Sequence, residues 1–381
     1  MKILIVKTFP VEINIKKSTY NHQEIGLARA LIEAGHQCDV MCTADNEQSI
    51  KTIPVSKGKF ITLYCMKAIK VLKNGFFKDV DNIFSQYDIL HVCEYNQLFT
   101  WHMAKKYHEK MVCYHGPYYS PFNKRYNMMA KFFDGLFLNR YKKYDTQFIT
   151  KSELAAAYLK NKGLCNVKAI GVGIDRQALT TQVNDRLDFV EDIERHNEHK
   201  IMYIGRLEPR RNVFFLLELL KELRKSKDIS LILVGTGDDD YVKKFFQKVN
   251  DMGLQDYIIY RESVEQKYME QLYACANVFV LPTIYDIYGM VLLEAMYFRQ
   301  CVFTTLNGGS NMMIRDGENG YVFREFTVKS WSKKILSILE DEKKQKQIAD
   351  LAHNTIVEKF TWQKLVPKFI NEYERKLAKS V

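Results

Sequence analysis

Apolar residues along this chain come in short solid runs, separated by longer stretches in which they recur every three or four positions. MKILIV at the start is a solid run, HQEIGLARALIEAG (22–35) has the three-to-four spacing, and QCDVMC (37–42) is solid again. Solid runs predict strands buried on both faces, and the wider spacing predicts helices with one buried face. YDILHVC (87–93), KMVCYHG (110–116) and TQFIT (146–150) continue as strands with helical segments between them. From Arg176 to Lys200 the chain is highly charged and carries no apolar strand, which reads as a linker or a peripheral helix. The alternation then restarts with the strands HKIMYIG (199–205), ISLILVG (229–235), YIIY (257–260), NVFVLP (277–282) and CVFTT (301–305). Helices are expected between them at 212–225, 241–253, 264–276 and 290–298. Alternating strands and helices predict an α/β protein with two doubly wound parallel sheets. The expected division is 1–175, a linker region at 176–198, 199–355, and a closing helix within 356–381. Such domains offer ligands a cleft at their strand ends.

Length agrees with two domains, since 381 residues at 47% hydrophobic content exceed what one ordinary core holds. The longest apolar runs fall short of a membrane span or a signal-peptide core. Eight cysteines lie scattered, without paired metal-ligand spacing, and read as buried thiols of a reducing cytoplasm. Cys38 and Cys42 sit four apart on a predicted strand, which suits packing and not zinc. A net charge of +11 calls for anionic company. Lys and Arg mix with Tyr, Phe, Leu and Met in YYSPFNKRYNMMAKFFDGLFLNRYKKYD (118–145), and YCMKAIKVLKNGFFKDV (64–80) has the same character. Such a mixture suits a helix lying in an anionic membrane interface or an ordinary surface helix with a buried aromatic stripe. No recognised nucleic-acid motif accompanies it, and nucleic acid is not expected as a partner.

The segment LPTIYDIYGMVLLEAMYF (281–298) places Glu294 in an otherwise apolar helix. An unpaired carboxylate there costs several kcal/mol, so it needs hydrogen-bond donors; ligand hydroxyls, a buried Arg or a neighbouring turn would each serve. Gly289 opens the helix and lets backbone N–H groups approach an anion at the positive end of the helix dipole. Asp286 and Glu294 are up to ~12 Å apart along a helix, enough to flank a diphosphate. In YIGRLEPRRN (203–212), Arg206, Arg210 and Arg211 crowd one loop at a strand end. Surface solvation explains two of them, whereas ligation of a diphosphate uses all three.

With these residues in place, the chain resembles the retaining group 1 glycosyltransferases (family 4 type) of GT-B architecture over nearly its whole length. The family's E-x7-E element matches Asp286 and Glu294, and its G-R-L-x-x-x-K segment matches Gly205, Arg206 and Leu207 with Arg211 at the lysine position. GVGID (171–175), GTG (235–237) and NGGSNMMIRDGENGYVF (307–323) match as well, and FTWQKLVPKFINEYERKL (360–377) resembles the helix that crosses back onto the first domain. The resemblance implies two Rossmann-like domains with a cleft between them, the first on the acceptor side and the second binding the nucleotide sugar.

It also implies roles. Arg206 and Arg211 would neutralise the donor diphosphate, Glu294 would accept the ribose hydroxyls, and backbone amides of Gly289 and Met290 would ligate phosphate. Asp286 would hold hydroxyls of the transferred sugar, and His115 in VCYHGPYY would stand near the reacting sugar, although a lone His is more often structural. The implied reaction moves a hexose or N-acetylhexosamine from a nucleotide-diphosphate sugar, UDP by frequency, to a glycan or lipid-linked oligosaccharide precursor, as in cell-surface polysaccharide biosynthesis. Other GT-B reactions, such as epimerisation or sugar phosphate synthesis, and a non-catalytic binding role stay open. No metal or other cofactor is expected; Asp238, Asp239 and Asp240 precede a helix, where acids complement its dipole. The expected location is the cytoplasm, at the inner membrane face where the basic aromatic stretches make contact. The chain departs from the family pattern at Asp286, which is about one bond, roughly 1.5 Å, shorter in reach than Glu. It departs again at Arg211, at NIKKSTYNHQ (14–23) where relatives carry a glycine pair, and at VEQ (264–266) in the base-contacting loop.

Overall fold

All five residues of Ile89–Cys93 and of Met111–His115 are buried, as are Ile3 to Val6. Strands covered on both faces have no polar alternation, and for that reason the sequence writes them as solid apolar runs. The computed structural model describes residues 1–14, 22–71, 74–179, 185–196 and 199–379, and they form two units. Residues 15–21 of NIKKSTYNHQ, 72–73 within the 64–80 stretch, and 180–184 and 197–198 of the charged run lie outside the described residues.

The first unit takes in the chain up to Asp175 together with Thr361 onward. Its strands are β1 (Lys2–Val6), β2 (Gln37–Thr43), β3 (Ser49–Ser56), β4 (Lys59–Met66), the separate ribbon of β5 (Ala68–Val71) and β6 (Asn74–Phe77), then β7 (Ile89–Cys93), β8 (Met111–His115), β9 (Gln147–Thr150) and β10 (Val167–Ala169). The main sheet has the order β10-β9-β8-β7-β1-β2-β4-β3, parallel except for β3 against β4. Helices Gln23–Glu33, Leu98–Lys106, Lys124–Lys143 and Glu153–Lys160 follow individual strands. The helix Trp362–Ala378 belongs to this unit: the N–H of Trp362 donates to the Ile174 carbonyl at 3.3 Å, and Tyr373 meets His91 Nδ1 at 2.8 Å. Asp175, the end of GVGID, pairs with Arg29.

The second unit runs from Arg176 to Phe360. It carries β11 (His199–Ile204), β12 (Ile229–Val234), β13 (Ile258–Arg261), β14 (Val278–Leu281), β15 (Cys301–Thr305) and β16 (Tyr321–Phe323) in the order β13-β12-β11-β14-β15-β16, all parallel. Strand order therefore reverses between β11 and β14, where a doubly wound sheet opens a crevice at its carboxyl end.

Two expectations are corrected. The described residues of 64–80 do not form a helix: Tyr64–Met66 end β4, and Ala68–Val71 and Asn74–Phe77 pair as the β5–β6 ribbon. Gly75 N–H donates to the Thr8 carbonyl there at 3.1 Å, and a Cβ on Gly75 would meet Thr43 Oγ1 at 2.9 Å. The antiparallel pair β3–β4 carried no expectation, because SIKTIPVS is an edge strand, half exposed along its length, with Pro54 next to a register shift. The charged run, expected as a linker region or a peripheral helix, contributes the helix Asp188–Glu194, whose Asp188 pairs with both Nη atoms of Arg261 at 2.6 and 2.9 Å; it is counted with the second unit, which begins at Arg176 and not at 199. Six of the cysteines are buried, Cys275 is half-buried and Cys165 exposed, and all are free thiols.

Candidate active site

Beyond Ile204 and Leu281, on the two sides of the reversal, the chain enters loops that lace together. Ile284 N–H donates to the Arg210 carbonyl at 2.8 Å, the Thr283 hydroxyl donates to the same carbonyl at 3.1 Å, and Arg210 Nη1 donates to the Tyr285 carbonyl at 3.3 Å. Behind them the GTG loop supports Gly205–Leu207: Leu207 N–H donates to the Thr236 carbonyl at 3.0 Å, and a Cβ on Gly235 would lie 1.8 Å from the Gly205 oxygen. That close approach is what requires glycine at 235.

The lacing brings opposite charges together. Arg211 pairs with Asp286, and Arg210 stands 3.8 Å from the same carboxylate. Glu208 accepts from Arg210 at 2.7 Å and lies 3.9 Å from both Arg211 and Arg206. Three guanidiniums against two carboxylates leave a net positive charge in one loop pair. Arg211 and Asp286 are nearly covered, with side chains 13% and 9% exposed, while Arg206 is 66% exposed. The fully charged pair inside and the open arginine outside give a surface suited to a polyanion.

The helix Met290–Tyr297 begins at the same place. Gly289 is its N-cap with φ +77°, a left-handed conformation that glycine adopts without strain, and Gly289 itself has no side chain with which to cap the first N–H groups. Glu294, in the second turn, is buried, and its Oε1 accepts one bond from Gln266 Nε2 at 3.2 Å. Burial pushes its carboxyl up to about 7, with the Gln266 hydrogen bond working the other way. Its protein partner is thus an amide from the VEQ segment, and not a buried arginine. Asp238 stands at the N-cap of Asp239–Asp251 with Asp239 and Asp240 in the first turn, where their charge complements the dipole, though Asp238 makes no side-chain cap bond.

In the first unit, His115 closes β8 beside the end of β7. Its ring is fully buried, and Nδ1 lies 2.8 Å from Glu94 Oε2, which also accepts from Gly116 N–H at 3.2 Å. Lys151 Nζ donates to Glu94 Oε1 at 3.4 Å, and Tyr95 meets the imidazole edge-on at 4.8 Å. Burial opposes ionisation of Glu94, but the Lys151 charge and the His115 hydrogen bond outweigh it and hold the carboxyl at about 2. A carboxylate at Nδ1 fixes the proton there and leaves the Nε2 lone pair free in the neutral ring. Nε2 has no hydrogen-bond partner among the described residues.

Residues 185–355 match the family model described as glycosyl transferases group 1. The matched segment covers most of the second unit, and over it the chain is similar to the group 1 glycosyltransferases. It is 22% identical to an uncharacterized glycosyltransferase of Methanocaldococcus jannaschii over 92% of both chains. The next curated relatives it matches are spanned over about half their length. Among solved structures it is similar to the sucrose-phosphate synthase of Thermosynechococcus elongatus (TM-score 0.73, 16% identity, covering 100% of each chain). It is likewise similar to Anabaena HepE in complex with UDP-glucose (TM-score 0.71, 17% identity, covering 100% of each chain). At this identity these likenesses establish the fold, which is GT-B.

Within this fold the second unit gathers Arg206, Arg211, Asp286, Gly289, Met290 and Glu294 on two neighbouring loops and one helix. His115 stands apart from them in the sequence and in the first unit. Sequence reasoning missed Glu208, which holds the arginines together, and Gln266, which faces Glu294. It also missed Glu94, which orients His115. The only signal for Glu94 is a carboxylate directly after the solid run ILHVC, at the same sheet end as His115; there the backbone takes φ +64°, which a non-glycine residue rarely adopts.

Proposed function

We propose that the protein is a retaining transferase that moves a hexose or N-acetylhexosamine from a nucleotide-diphosphate sugar to a hydroxyl of a glycan or lipid-linked oligosaccharide precursor. The observation that carries this reading is the convergence, at one sheet reversal, of the Arg211–Asp286 pair, the helix N-terminus at Gly289 and the buried Glu294. In the resting protein Asp286 occupies Arg211. An arriving diphosphate competes for that guanidinium and for the Arg206 and Met290 donors, so that Asp286 is released toward hydroxyls of the transferred sugar. Charge neutralisation is conserved through the exchange, because one anion replaces another. Glu294 takes the ribose hydroxyls, which replace water it lost on burial. Guanidiniums and backbone amides stabilise the leaving diphosphate, so the proposed route needs no metal, and a phosphate oxygen takes the acceptor proton on the face the sugar leaves. UDP is the favoured donor nucleotide, in line with the UDP-glucose carried by HepE.

His115, oriented by Glu94, keeps its catalytic part. Replacing it with alanine is expected to leave donor affinity within about twofold and to lower turnover by about 10²-fold or more, the range for a positioned proton-handling group. Steady-state kinetics beside calorimetric donor titration check this split; equal loss of both would make His115 a structural residue. A sugar phosphate acceptor is the second reading, favoured by the net charge of +11. NMR of the product formed with the donor and either a glycan or a sugar phosphate acceptor tests the proposal. An α-linked glycan from an α-linked donor supports it, an inverted anomer refutes retention, and an epimerised donor without transfer refutes the transferase reading.

A further inference from the structure

We propose that the outer face of the helix Lys124–Lys143 docks this protein on an anionic lipid bilayer. Phe122, Met128, Phe132 and Leu136 are 60–66% exposed, and Tyr119 just before the helix is 62% exposed. Apolar side chains this open are costly in water when they share one face. They do share it, since Met128, Phe132 and Leu136 follow one another at four-residue spacing. The opposite face is spoken for: Ala130, Phe133 and Tyr141 are buried in the first unit, Asp134 pairs with Lys162, and Arg140 stacks on Trp101 at 3.3 Å.

Charge chooses the occupant. Lys124, Arg125, Lys131, Lys142 and Lys143 are exposed around the apolar row, and none forms an ion pair among the described residues. The helix's one acidic residue, Asp134, lies on the inner side. A second copy packed face to face would set cations against cations, whereas anionic headgroups answer every one of them. Apolar side chains flanked by lysines on one helical face are what an interfacial helix uses, with the apolar row immersed about 5–10 Å and the cations at headgroup level. No helix among the described residues is long and apolar enough to cross a membrane, so this contact lies in the interface.

The test uses the full chain with phosphatidylcholine vesicles, with and without phosphatidylglycerol, and reads co-sedimentation. Binding is expected only with the anionic lipid and is expected to fall away at about 0.5 M salt. The double variant Lys124→Ser/Lys131→Ser should lower partitioning about 25-fold, a factor of about five per cation. Phe132→Asp/Leu136→Asp should abolish it with unchanged melting and donor affinity, since both positions are outside the core and the donor loops. Absence of wild-type binding, or equal binding by the variants, overturns the proposal. A concentration-dependent dimer that Phe132→Asp/Leu136→Asp abolishes would give the face to a second copy instead. The readout does not depend on sugar transfer, so it stands or falls apart from the proposed reaction.

Discussion

Replacing Arg211 by alanine is expected to abolish donor binding and to destabilise the second unit at the same time. Arg211 and Asp286 are both nearly covered and pair directly, and Arg210 stands 3.8 Å from the same carboxylate. Breaking a buried pair from one side costs about 3–5 kcal/mol, which for a unit of this size corresponds to a melting shift of about 10 °C. Adding Asp286→Asn should restore much of the stability, because no buried charge is then stranded, but it cannot restore the cation a diphosphate needs. Thermal melts and calorimetric titrations of the single and double variants separate the two effects. If Arg211→Ala kept both its melting temperature and its donor affinity, the pair would be neither a structural nor a functional element.

Glu294 should behave in the opposite way, with stability and function pulling apart. Its carboxyl titrates at about 7 in the folded chain against an ordinary value of 4.5. A raised carboxyl pKa favours the folded state below pH 4.5, and that contribution is lost as pH rises through 7. The sum is of the order of 3 kcal/mol. Glu294→Gln is therefore expected to melt higher than wild type at pH 8 and to lose most of the wild-type difference in stability between pH 6 and pH 8. Its donor affinity should fall by at least about 100-fold, because an amide is a poorer acceptor for two ribose hydroxyls than a charge-assisted carboxylate. In wild type, donor affinity should weaken as pH drops below 7, where the carboxyl must first give up its proton. Melting curves and donor titrations across this pH range check both signs; a variant less stable at pH 8 would contradict the burial argument.

The parts of this protein that the sequence reveals are those with local causes. Fully covered strands print solid apolar runs, which is why β1, β7, β8, β11, β12, β14 and β15 can be read directly. Gly289 before MVLLEAMYF and the three arginines after a strand-ending glycine are local as well, and they locate the loops of the proposed donor site. What cannot be read depends on partners distant in the chain. Arg211 and Asp286 are 75 residues apart, and nothing in either segment says that the cation proposed for a diphosphate meets the carboxylate proposed for a sugar. Gln266 answers Glu294 across 28 residues from a segment notable only for lacking a glycine. The β5–β6 ribbon is hidden for a different reason: its mix of Lys and aromatic residues resembles that of Lys124–Lys143, and the contacts of Gly75 with Thr8 and Thr43 come from distant segments.

The most direct test of the donor site is calorimetric titration of wild type and Glu294→Gln with UDP, GDP and ADP at pH 8. One nucleoside diphosphate should bind wild type and stabilise its fold by mass action, and the variant should lose about 100-fold or more of that affinity while staying folded. Equal affinity in the two proteins, or no binding of any nucleotide to wild type, would contradict the assignment of this loop pair and helix as the nucleotide-sugar site.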